Sequence, residues 1–398
     1  MAEEENAMYV ATKGKPLATT ITGSLPRPSW FRENLHGRAF SRAMLGDAVY
    51  REQYTDAVAA LVADQERAGL DIVTDGDMRF DMDIGGRDWF GYVIDRMAGL
   101  GRDGVRRLPF GGSIREQKAG DILHEIMMTR LPPDITGPIE RGPLDYAFTW
   151  KAGQSVAARP VKFGACSAQL IDSITINDKT HYKDRRAVIM ALSEQLNAEY
   201  LELADAGCPV IQIEEPCLHF FGEADWEIPL DFYVEAFNRE VQGIRERTEL
   251  WCHTCWGNPL AQNLGGGAAR YRPVLGYIDR LSVDVVTFET AENGGIELAD
   301  IAAAIGKDKK IAIGAVSHRR LQIETPEEVA ALVRKAAKLI EPERLIVSTD
   351  CGFGRQGMSR THAAFKMIAL VQGTNIVRRE LGLPEAPVPA AEQRLSLL

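Results

Sequence analysis

The chain has 398 residues, of which 45% are hydrophobic, 26% charged and 8% aromatic. This composition is ordinary for a globular protein and excludes collagen-like, coiled-coil and disordered chains. The formal net charge of -10 argues against a nucleic-acid or anionic-membrane partner, because both require a basic surface.

Eight short apolar runs dominate the pattern after a polar segment at residues 1–16, which we expect to be a flexible lead-in. Nearly continuous apolar runs of this length are typical of strands buried on both faces of a parallel sheet. The runs are Thr19–Ser24, Asp71–Asp77, Val161–Ser167, Val210–Pro216, Leu250–Cys255, Val283–Glu289, Lys310–Ser317 and Leu345–Gly352.

Helical patterns alternate with these runs. Asp184–Ala206 has apolar residues at steps of three and four, Thr325 and Pro326 begin another helix, and Met358–Leu381 predicts a third. Eight such alternations predict an α/β fold, a (β/α)8 TIM barrel, with a doubly wound sheet as the alternative. Residues 101–160 exceed a normal connection and predict an elaborated loop region.

Polar or metal-binding residues end almost every predicted strand. In a barrel, the loops at the carboxyl ends of the strands form the active site, so this pattern favours an enzyme. No repeat or linker divides the chain, and we expect residues 17–398 to form a single catalytic barrel. The strand-end residues are Ser24, Asp77, Cys166, Glu214, Glu215, His253, Cys255, Glu289, Ser317 and Cys351.

Cysteine usage and hydropathy predict a cytoplasmic protein without a membrane partner. The six cysteines are too few and too scattered for a disulfide scaffold in a chain of this length. The amino-terminal segment lacks the basic and apolar regions of a secretory signal. No apolar run approaches the roughly 20 residues that cross a bilayer.

A candidate metal site is the sharpest of these features. His253 and Cys255 are two residues apart on one strand and therefore share a face. Glu289 ends the next predicted strand and Cys351 ends the last. Two thiolates, an imidazole and a carboxylate suit four-coordinate Zn²⁺, which would deprotonate a substrate thiol and leave its sulfur nucleophilic.

The loop after this pair is predicted to lie over the metal. Trp256 and Asn258 follow Cys255 directly, so they either shape a substrate pocket or pack the loop.

Several motifs together resemble the cobalamin-independent methionine synthase superfamily, in particular its catalytic barrel. The resemblance covers most of residues 19–375 and is specific only when the motifs are taken together. It implies a barrel with catalytic zinc, held by His253, Cys255, Glu289 and Cys351, and alkyl transfer to a thiol. The motifs are TTITGS at 19–24, DGD at 75–77, TGPI at 136–139, QIEEP at 212–216, HTCWGN at 253–258, VTFE at 286–289 and TDCG at 349–352.

The resemblance also implies a homocysteine site. The segment Thr22–Gly23–Ser24 would hold the carboxylate of homocysteine, and Asp77 and Glu214 would hold its amino group. The family usually has Glu at the position of Asp77 and Asp at the position of Glu214, so the longer and the shorter acid are exchanged in this chain. After the seventh strand the family has Asp-x-His, whose histidine helps to protonate the departing folate. Here Ser317 and Arg319 take those places and His318 lies between them. We predict that His318 is the catalytic residue that substitutes for the family's histidine, although it would point elsewhere if the segment stays extended.

These departures leave the alkyl donor open between methyl-folate, methyl-corrinoid and an epoxide. The leading prediction is methyl transfer to homocysteine. The alternative resembles epoxyalkane:coenzyme M transferase, in which a zinc-bound thiolate opens the epoxide and cations bind the sulfonate of the thiol. A different class is a non-catalytic barrel that binds metal or thiol. The candidate sulfonate ligands are Arg79, Arg87, Arg319 and Arg320.

Overall fold

The computed structural model describes most of the chain. The described residues are 10–83, 86–101, 133–221, 228–256, 270–354 and 358–392. Asn258 lies outside them, as does the side chain of Arg87.

One curled parallel sheet forms the centre of the described part of the protein. Seven strands pair in the order β1-β6-β7-β8-β9-β10-β11, and two antiparallel pairs, β2-β3 and β4-β5, lie outside this sheet. The strands are β1 (Val73–Thr74), β2 (Asp81–Asp83), β3 (Gly86–Asp88), β4 (Ala98–Gly101), β5 (Asp134–Glu140), β6 (Val161–Cys166), β7 (Val210–Glu214), β8 (Glu249–Thr254), β9 (Val285–Phe288), β10 (Lys310–Val316) and β11 (Leu345–Thr349). The fold is thus an α/β barrel of the predicted (β/α)8 type.

The first predicted strand is present only as an irregular segment. Thr19 makes an isolated parallel bridge with Val347 of β11, and its carbonyl accepts the amide of Ile72 beside β1. Backbone hydrogen bonds join residues 18–20 to Val347, and side chains add to them. The carboxylate of Asp71 accepts from the amide and hydroxyl of Thr19, and Thr22 donates its amide and its hydroxyl to Thr349. This segment therefore spans the gap between β1 and β11.

Helices follow the barrel strands with clear end signals. Asp184 caps the long helix Arg185–Asp205 by accepting from the amide of Ala187, and Thr325 and Glu328 form a reciprocal capping box. The described helices are α1 (Phe40–Gly46), α2 (Ala48–Ala68), α3 (Trp89–Ile94), α4 (Tyr146–Gln154), α5 (Ala168–Asp172), α6 (Arg185–Asp205), α7 (Cys217–Phe221), α8 (Leu230–Glu240), α9 (Leu275–Asp279), α10 (Leu298–Ala304), α11 (Pro326–Ala337) and α12 (Arg360–Glu380).

The predicted elaboration near residues 101–160 has structure of its own. β4 pairs with β5 in antiparallel fashion, and α4 follows before β6 begins. The residues between β4 and Pro133 lie outside the described part of the chain.

The barrel interior is polar at points that the apolar runs did not reveal. Near the amino ends of the strands, Glu249 accepts hydrogen bonds from the amides of Ala11 and Thr12. Lys162 is 1% exposed and lies over the ring of Trp251. Across the described residues, helices that combine the length and apolarity of a membrane span are absent.

Candidate metal centre and active site

Three of the four predicted metal ligands meet at the carboxyl ends of the strands. One ligand atom from each of His253, Cys255 and Cys351 lies within 4.8 Å of the other two. His253 is in β8, Cys255 follows that strand, and Cys351 follows β11. Strand alternation brings the first two to one face, and barrel closure brings the third to them.

The imidazole of His253 is oriented by the neighbouring strand. Its Nδ1 lies 2.5 Å from Oγ1 of Thr287, the residue opposite it in the β8-β9 register. With a proton on Nδ1 donated to this hydroxyl, Nε2 keeps the lone pair that a metal requires. Nε2 is buried without a hydrogen-bond partner among the described residues, which fits an atom that binds an ion.

The raised pKa values of the site also fit a place for a cation. The hydrogen bond with Cys255 raises the pKa of the Cys351 thiol well above its usual value, and burial and the neighbouring acids raise it further. Burial, more than its charged neighbours, raises the pKa of Glu289 well above its usual range. Potential anions crowded in a buried site resist ionisation, and a divalent cation removes that resistance. The donor set of sulfur and nitrogen suits zinc.

Glu289 lies in a second group that overlaps the first. Ligand atoms of Glu289, His318 and Cys351 also lie within 4.8 Å of one another. Glu289 is 4% exposed, and both of its oxygens already accept hydrogen bonds. Oε1 accepts from the backbone amide of Trp256 at 2.9 Å, and Oε2 accepts from Arg319 at 3.1 Å.

His318 faces the site because the chain bends after β10. The strand ends at Val316, and residues 318 and 319 form a bend rather than an extended segment. Nε2 of His318 consequently lies 3.9 Å from Oε1 of Glu289, and its side chain is fully buried. The bend allows consecutive residues, His318 and Arg319, to approach the same carboxylate.

The two acids predicted to bind an amino group lie at the same mouth of the barrel. A Cβ placed on Gly164 would be 4.0 Å from Oδ1 of Asp77 and from Oε1 of Glu214, so both carboxylates lie beside this glycine. Oε2 of Glu214 is 3.7 Å from Nε2 of His253. Burial raises the pKa of Glu214 to about 7, although the charge of His253 opposes this.

A column of polar side chains inside the barrel holds Glu214. Lys162 donates to Oε1 of Gln212 at 2.7 Å, and Gln212 donates to Oε1 of Glu214 at 2.8 Å. Burial lowers the pKa of Lys162 to about 7, and the charge of Glu214 opposes this. The column links the barrel interior to the mouth and fixes the orientation of the acid.

The predicted carboxylate-binding segment lies beside Asp77. A Cβ on Gly23 would be 3.1 Å from Oδ2 of Asp77, so a larger residue would press on this carboxylate. The hydroxyl of Thr22 donates to the carbonyl of Thr349, and Oγ of Ser24 accepts from the amide of Gly354. These contacts tie the segment to the chain around Cys351.

Aromatic residues support the loop that follows Cys255. Trp256 is half-buried and packs edge-on against His219, whose Nε2 lies 2.7 Å from the carbonyl of Cys255. Burial lowers the pKa of His219 to about 4, so this histidine is neutral. Tyr271 donates to the carbonyl of Thr254 and accepts the amide of Glu289, which joins two strand ends.

The described arginines that were candidate sulfonate ligands pair with carboxylates. Arg79 is 1% exposed and bonds to Asp77 and to the carbonyl of Gly164. Arg319 pairs with Glu289, and Arg320 lies 3.2 Å from Glu292. Binding of a sulfonate by these side chains would compete with each of these ion pairs.

Sequence reasoning missed several residues of the site. Thr287 was detectable, because it lies two residues before Glu289 on one strand face and opposite His253 in the sheet register. Gln212 was detectable in the same way, because it lies two residues before Glu214 on the same face of its strand. His219 and Lys162 carry no local signal, because their partners come from other strands and loops.

Comparison with known proteins agrees with the geometry. A family model described as the catalytic domain of cobalamin-independent synthase matches residues 17–108 and 110–373. Methionine synthase of Saccharolobus islandicus (strain Y.G.57.14) is 29% identical over 365 residues, which covers 92% of this chain and 96% of that protein. Methionine synthase of Saccharolobus solfataricus is 28% identical over 367 residues, with the same coverage.

Solved structures show the same fold. A B12-independent methionine synthase from Shewanella sp. W3-18-1, in complex with selenomethionine, has a TM-score of 0.73 and 25% identity. The alignment covers 92% of this chain and 99% of that one. A putative B12-independent methionine synthase from Listeria monocytogenes, with a TM-score of 0.63 and 16% identity, supports the fold alone.

Proposed function

Because the chain belongs to the family of cobalamin-independent synthase catalytic domains, we propose that it transfers a methyl group to the sulfur of homocysteine at a zinc centre. The observation that carries this proposal is that two carboxylates lie beside a His–Cys–Cys group at one end of the barrel. Glu214 is 3.7 Å from His253, and Asp77 and Glu214 both lie beside Gly164. The site thus offers a place for a thiol next to a place for an ammonium group.

The relatives support the choice of homocysteine. Two relatives of similar length, matched over 96% of their own chains, are named methionine synthases. The Shewanella protein binds selenomethionine, an analogue of the product of homocysteine methylation. The ion pairs of Arg79, Arg319 and Arg320 weigh against the sulfonate of coenzyme M as the group recognised here.

In this proposal His253, Cys255 and Cys351 hold the metal, and a fourth ligand comes from the neighbouring group that contains the predicted ligand Glu289. When bound, zinc would deprotonate the acceptor thiol while leaving its sulfur nucleophilic. Thr287 keeps Nε2 of His253 directed at the centre. Tyr271 and His219 hold the strand ends and the loop that carry these ligands.

Asp77 and Glu214 bind the amino group in this proposal, and Thr22–Gly23–Ser24 receives the carboxylate. An incoming ammonium would balance Glu214, whose pKa burial raises, and would share Asp77 with Arg79. Gln212 and Lys162 hold Glu214 in place before the substrate arrives. Two fixed points on the substrate orient its sulfur for attack on the donor methyl, which converts a collision into a positioned encounter.

The test is an assay of zinc-loaded protein with L-homocysteine and either methyltetrahydrofolate or methylcobalamin, with methionine detected by mass spectrometry. The proposal predicts methionine with one of these donors and none after zinc removal. Cys351→Ser should abolish both zinc retention and turnover. Stoichiometric zinc and full activity in Cys351→Ser would contradict the ligand assignment, and turnover only with coenzyme M and an epoxide would contradict the acceptor.

A further inference from the structure

Arg79 is a buried cation behind one of the two acids predicted to bind an amino group. Its side chain is 1% exposed, whereas that of Asp77 is 13% exposed. The guanidinium donates to Oδ1 of Asp77 at 3.1 Å and to the carbonyl of Gly164 at 2.5 Å. Asp75 lies 3.7 Å from the same guanidinium. The arginine is thus shielded from a substrate that contacts Asp77.

Aromatic rings surround the guanidinium of Arg79. Its central carbon lies 4.2 Å from the ring centroid of Phe80, 4.3 Å from that of Phe163, 5.4 Å from that of Tyr92 and 5.8 Å from that of Tyr146. Aromatic faces attract a guanidinium and stack on its plane. These rings therefore restrict the orientation from which the arginine donates its hydrogen bonds.

The backbone of Asp77 has a conformation that its surroundings must maintain. Gly76 and Asp77 have positive φ values of 67° and 55°, and the amide of Asp77 donates to Oδ1 of Asp75 at 2.8 Å. The left-handed region is uncommon for residues other than glycine and persists where contacts impose it. The ion pair with Arg79 is such a contact. Burial alone would lower the pKa of Arg79, but the charges of Asp77 and Asp75 raise it above its usual value, so the guanidinium stays a cation.

The same guanidinium joins the turn of Asp77 to the strand beside Glu214. Gly164, whose carbonyl it binds, lies in β6, and β6 pairs with β7, which ends at Glu214. Oδ1 of Asp77 bonds to Arg79, while Oδ2 lies beside Gly23 in the segment predicted to bind the carboxylate of homocysteine. Arg79 is therefore placed to set both the direction of the Asp77 carboxylate and its separation from Glu214.

We propose that Arg79 is a positioning residue for recognition of the amino group of the acceptor, and that it fixes Asp77 relative to Glu214 without contacting the substrate. The inference rests on the proposed function, in which these two acids bind the ammonium group of homocysteine. The positive charge of Arg79 repels an incoming ammonium group. Its contribution to binding must therefore come from geometry, and a substitution that keeps the charge isolates that contribution.

The test is steady-state kinetics of Arg79→Lys, as zinc-loaded full chain, with L-homocysteine and with 4-mercaptobutanoate, which lacks the amino group. Lysine keeps the charge but has no planar fork to hold Asp77 and the carbonyl of Gly164 together. We expect KM for L-homocysteine to rise about 10-fold or more, the cost of one hydrogen bond to a charged group, with little change in kcat. KM for 4-mercaptobutanoate should stay close to that of the wild type. An equal rise for both substrates would overturn the inference.

Arg96→Lys is the matched control. Arg96 is 6% exposed, and its guanidinium lies 4.0 Å from the ring centroid of Tyr92. It shares the burial and the aromatic contact of Arg79, but it donates to the backbone carbonyls of Arg38 and Tyr92. The control should leave KM unchanged for both substrates. A rise for L-homocysteine as large as that in Arg79→Lys would overturn the inference.

A double variant shows whether Arg79 acts through Asp77. In the background of Asp77→Asn, Arg79→Lys should raise KM for L-homocysteine much less than it does in the wild type, because the carboxylate that it positions is gone. Residues that act through one another give non-additive effects. The full increase in both backgrounds would overturn the inference.

Phe80→Leu tests the same idea if Arg79→Lys does not fold, because it keeps Arg79 and removes one ring from it. We expect KM for L-homocysteine to rise about 3-fold and KM for 4-mercaptobutanoate to stay constant, in line with the loss of one cation–π contact. Unchanged KM values for both substrates would overturn the inference. A wild type that does not methylate L-homocysteine would overturn the proposed function together with this inference, whereas an active wild type with an unaffected Arg79→Lys variant would overturn this inference alone.

Discussion

Oγ1 of Thr287 lies 2.5 Å from Nδ1 of His253, across the register of two neighbouring strands. This contact fixes the ring and leaves Nε2 directed at the two cysteines. Partners behind a metal ligand commonly set its orientation and basicity. Thr287 of β9 thus orients a predicted metal ligand on the neighbouring strand β8.

Removal of this hydroxyl should weaken metal binding without removing a ligand. We expect Thr287→Val to lower zinc affinity by about 10- to 100-fold, the usual cost of losing such a partner. Thr287→Ser keeps the hydroxyl and should stay close to the wild type. Competition with a chromophoric chelator measures both variants. Equal affinity in the valine and serine variants would show that the contact does not support the ligand.

The acids at the mouth should determine affinity for the amino group of the acceptor. Glu214→Gln and Asp77→Asn should each raise KM for L-homocysteine by about 30-fold or more, because breaking a buried charge pair costs about 2–5 kcal/mol. The control substrate is 4-mercaptobutanoate, which has the same sulfur and carboxylate but no amino group. Its KM should change little in either variant. An equal loss for both substrates would assign the acids to the fold rather than to recognition.

The exchanged lengths of these acids allow a second experiment. The double variant Asp77→Glu with Glu214→Asp restores the arrangement usual in the family and keeps both charges. We expect the double variant to have a lower KM for L-homocysteine than either single variant, which steady-state kinetics can measure. A double variant weaker than both single variants would contradict a shared ammonium site.

Much of this arrangement follows from local sequence patterns. The apolar runs predicted the barrel. The His253-x-Cys255 spacing, with Cys351 at the end of the last strand, predicted a metal site, and the structure brings these three residues close enough to hold an ion. The run Thr19–Ser24 was predicted as a strand, but it makes only an isolated bridge, and threonine side chains add hydrogen bonds to its few backbone ones. Those hydrogen bonds reach residues more than 50 positions away, so no local pattern reveals them.

The surroundings of Glu289 show where sequence reasoning stops. Its pairing with Arg319 depends on a bend after β10 and joins residues 30 positions apart. An extended segment would direct His318, the predicted catalytic substitute, away from the site, whereas the bend directs it toward Glu289. The barrel pattern predicts that strand ends meet, but not how each loop turns.

Glu215 should give the protein a pH-dependent stability that is separate from the metal ligands. It is fully buried, accepts the amide of Cys217 at 2.8 Å, and burial raises its pKa from 4.5 to about 7. Between about pH 4.5 and about pH 7, Glu215 therefore keeps its proton in the folded protein, whereas the unfolded chain has released it. The stabilisation is complete below about pH 4.5 and is lost as the pH rises through about 7.

Glu215→Gln should therefore gain stability relative to the wild type as the pH rises from about 5 to about 8. Urea unfolding at several pH values measures the difference in the free energy of unfolding. Glu52→Gln on the exposed face of α2 is the matched control and should show no such trend. A constant difference between Glu215→Gln and the wild type would contradict the raised pKa.

Gly314 should be required for the packing of the chain beside Cys351. A Cβ at this position in β10 would clash with the side chain and backbone of Asp350, which binds the amides of Thr290, Ala291 and Glu292. We expect Gly314→Ala to lower the free energy of unfolding by about 1–3 kcal/mol, as overpacked cores do. Gly276→Ala, where a Cβ meets open space in α9, should cause no loss. Equal stability of both variants in chemical denaturation would contradict this reading of the packing.

The proposed binding of the homocysteine thiol to zinc is tested most directly by the number of sulfur ligands on zinc before and after addition of L-homocysteine. Zinc-edge absorption spectroscopy on the loaded protein measures this number without a methyl donor. We expect two sulfurs, from Cys255 and Cys351, in the free protein and a third when L-homocysteine binds. An unchanged sulfur count with L-homocysteine, or a third sulfur only with coenzyme M, would contradict it.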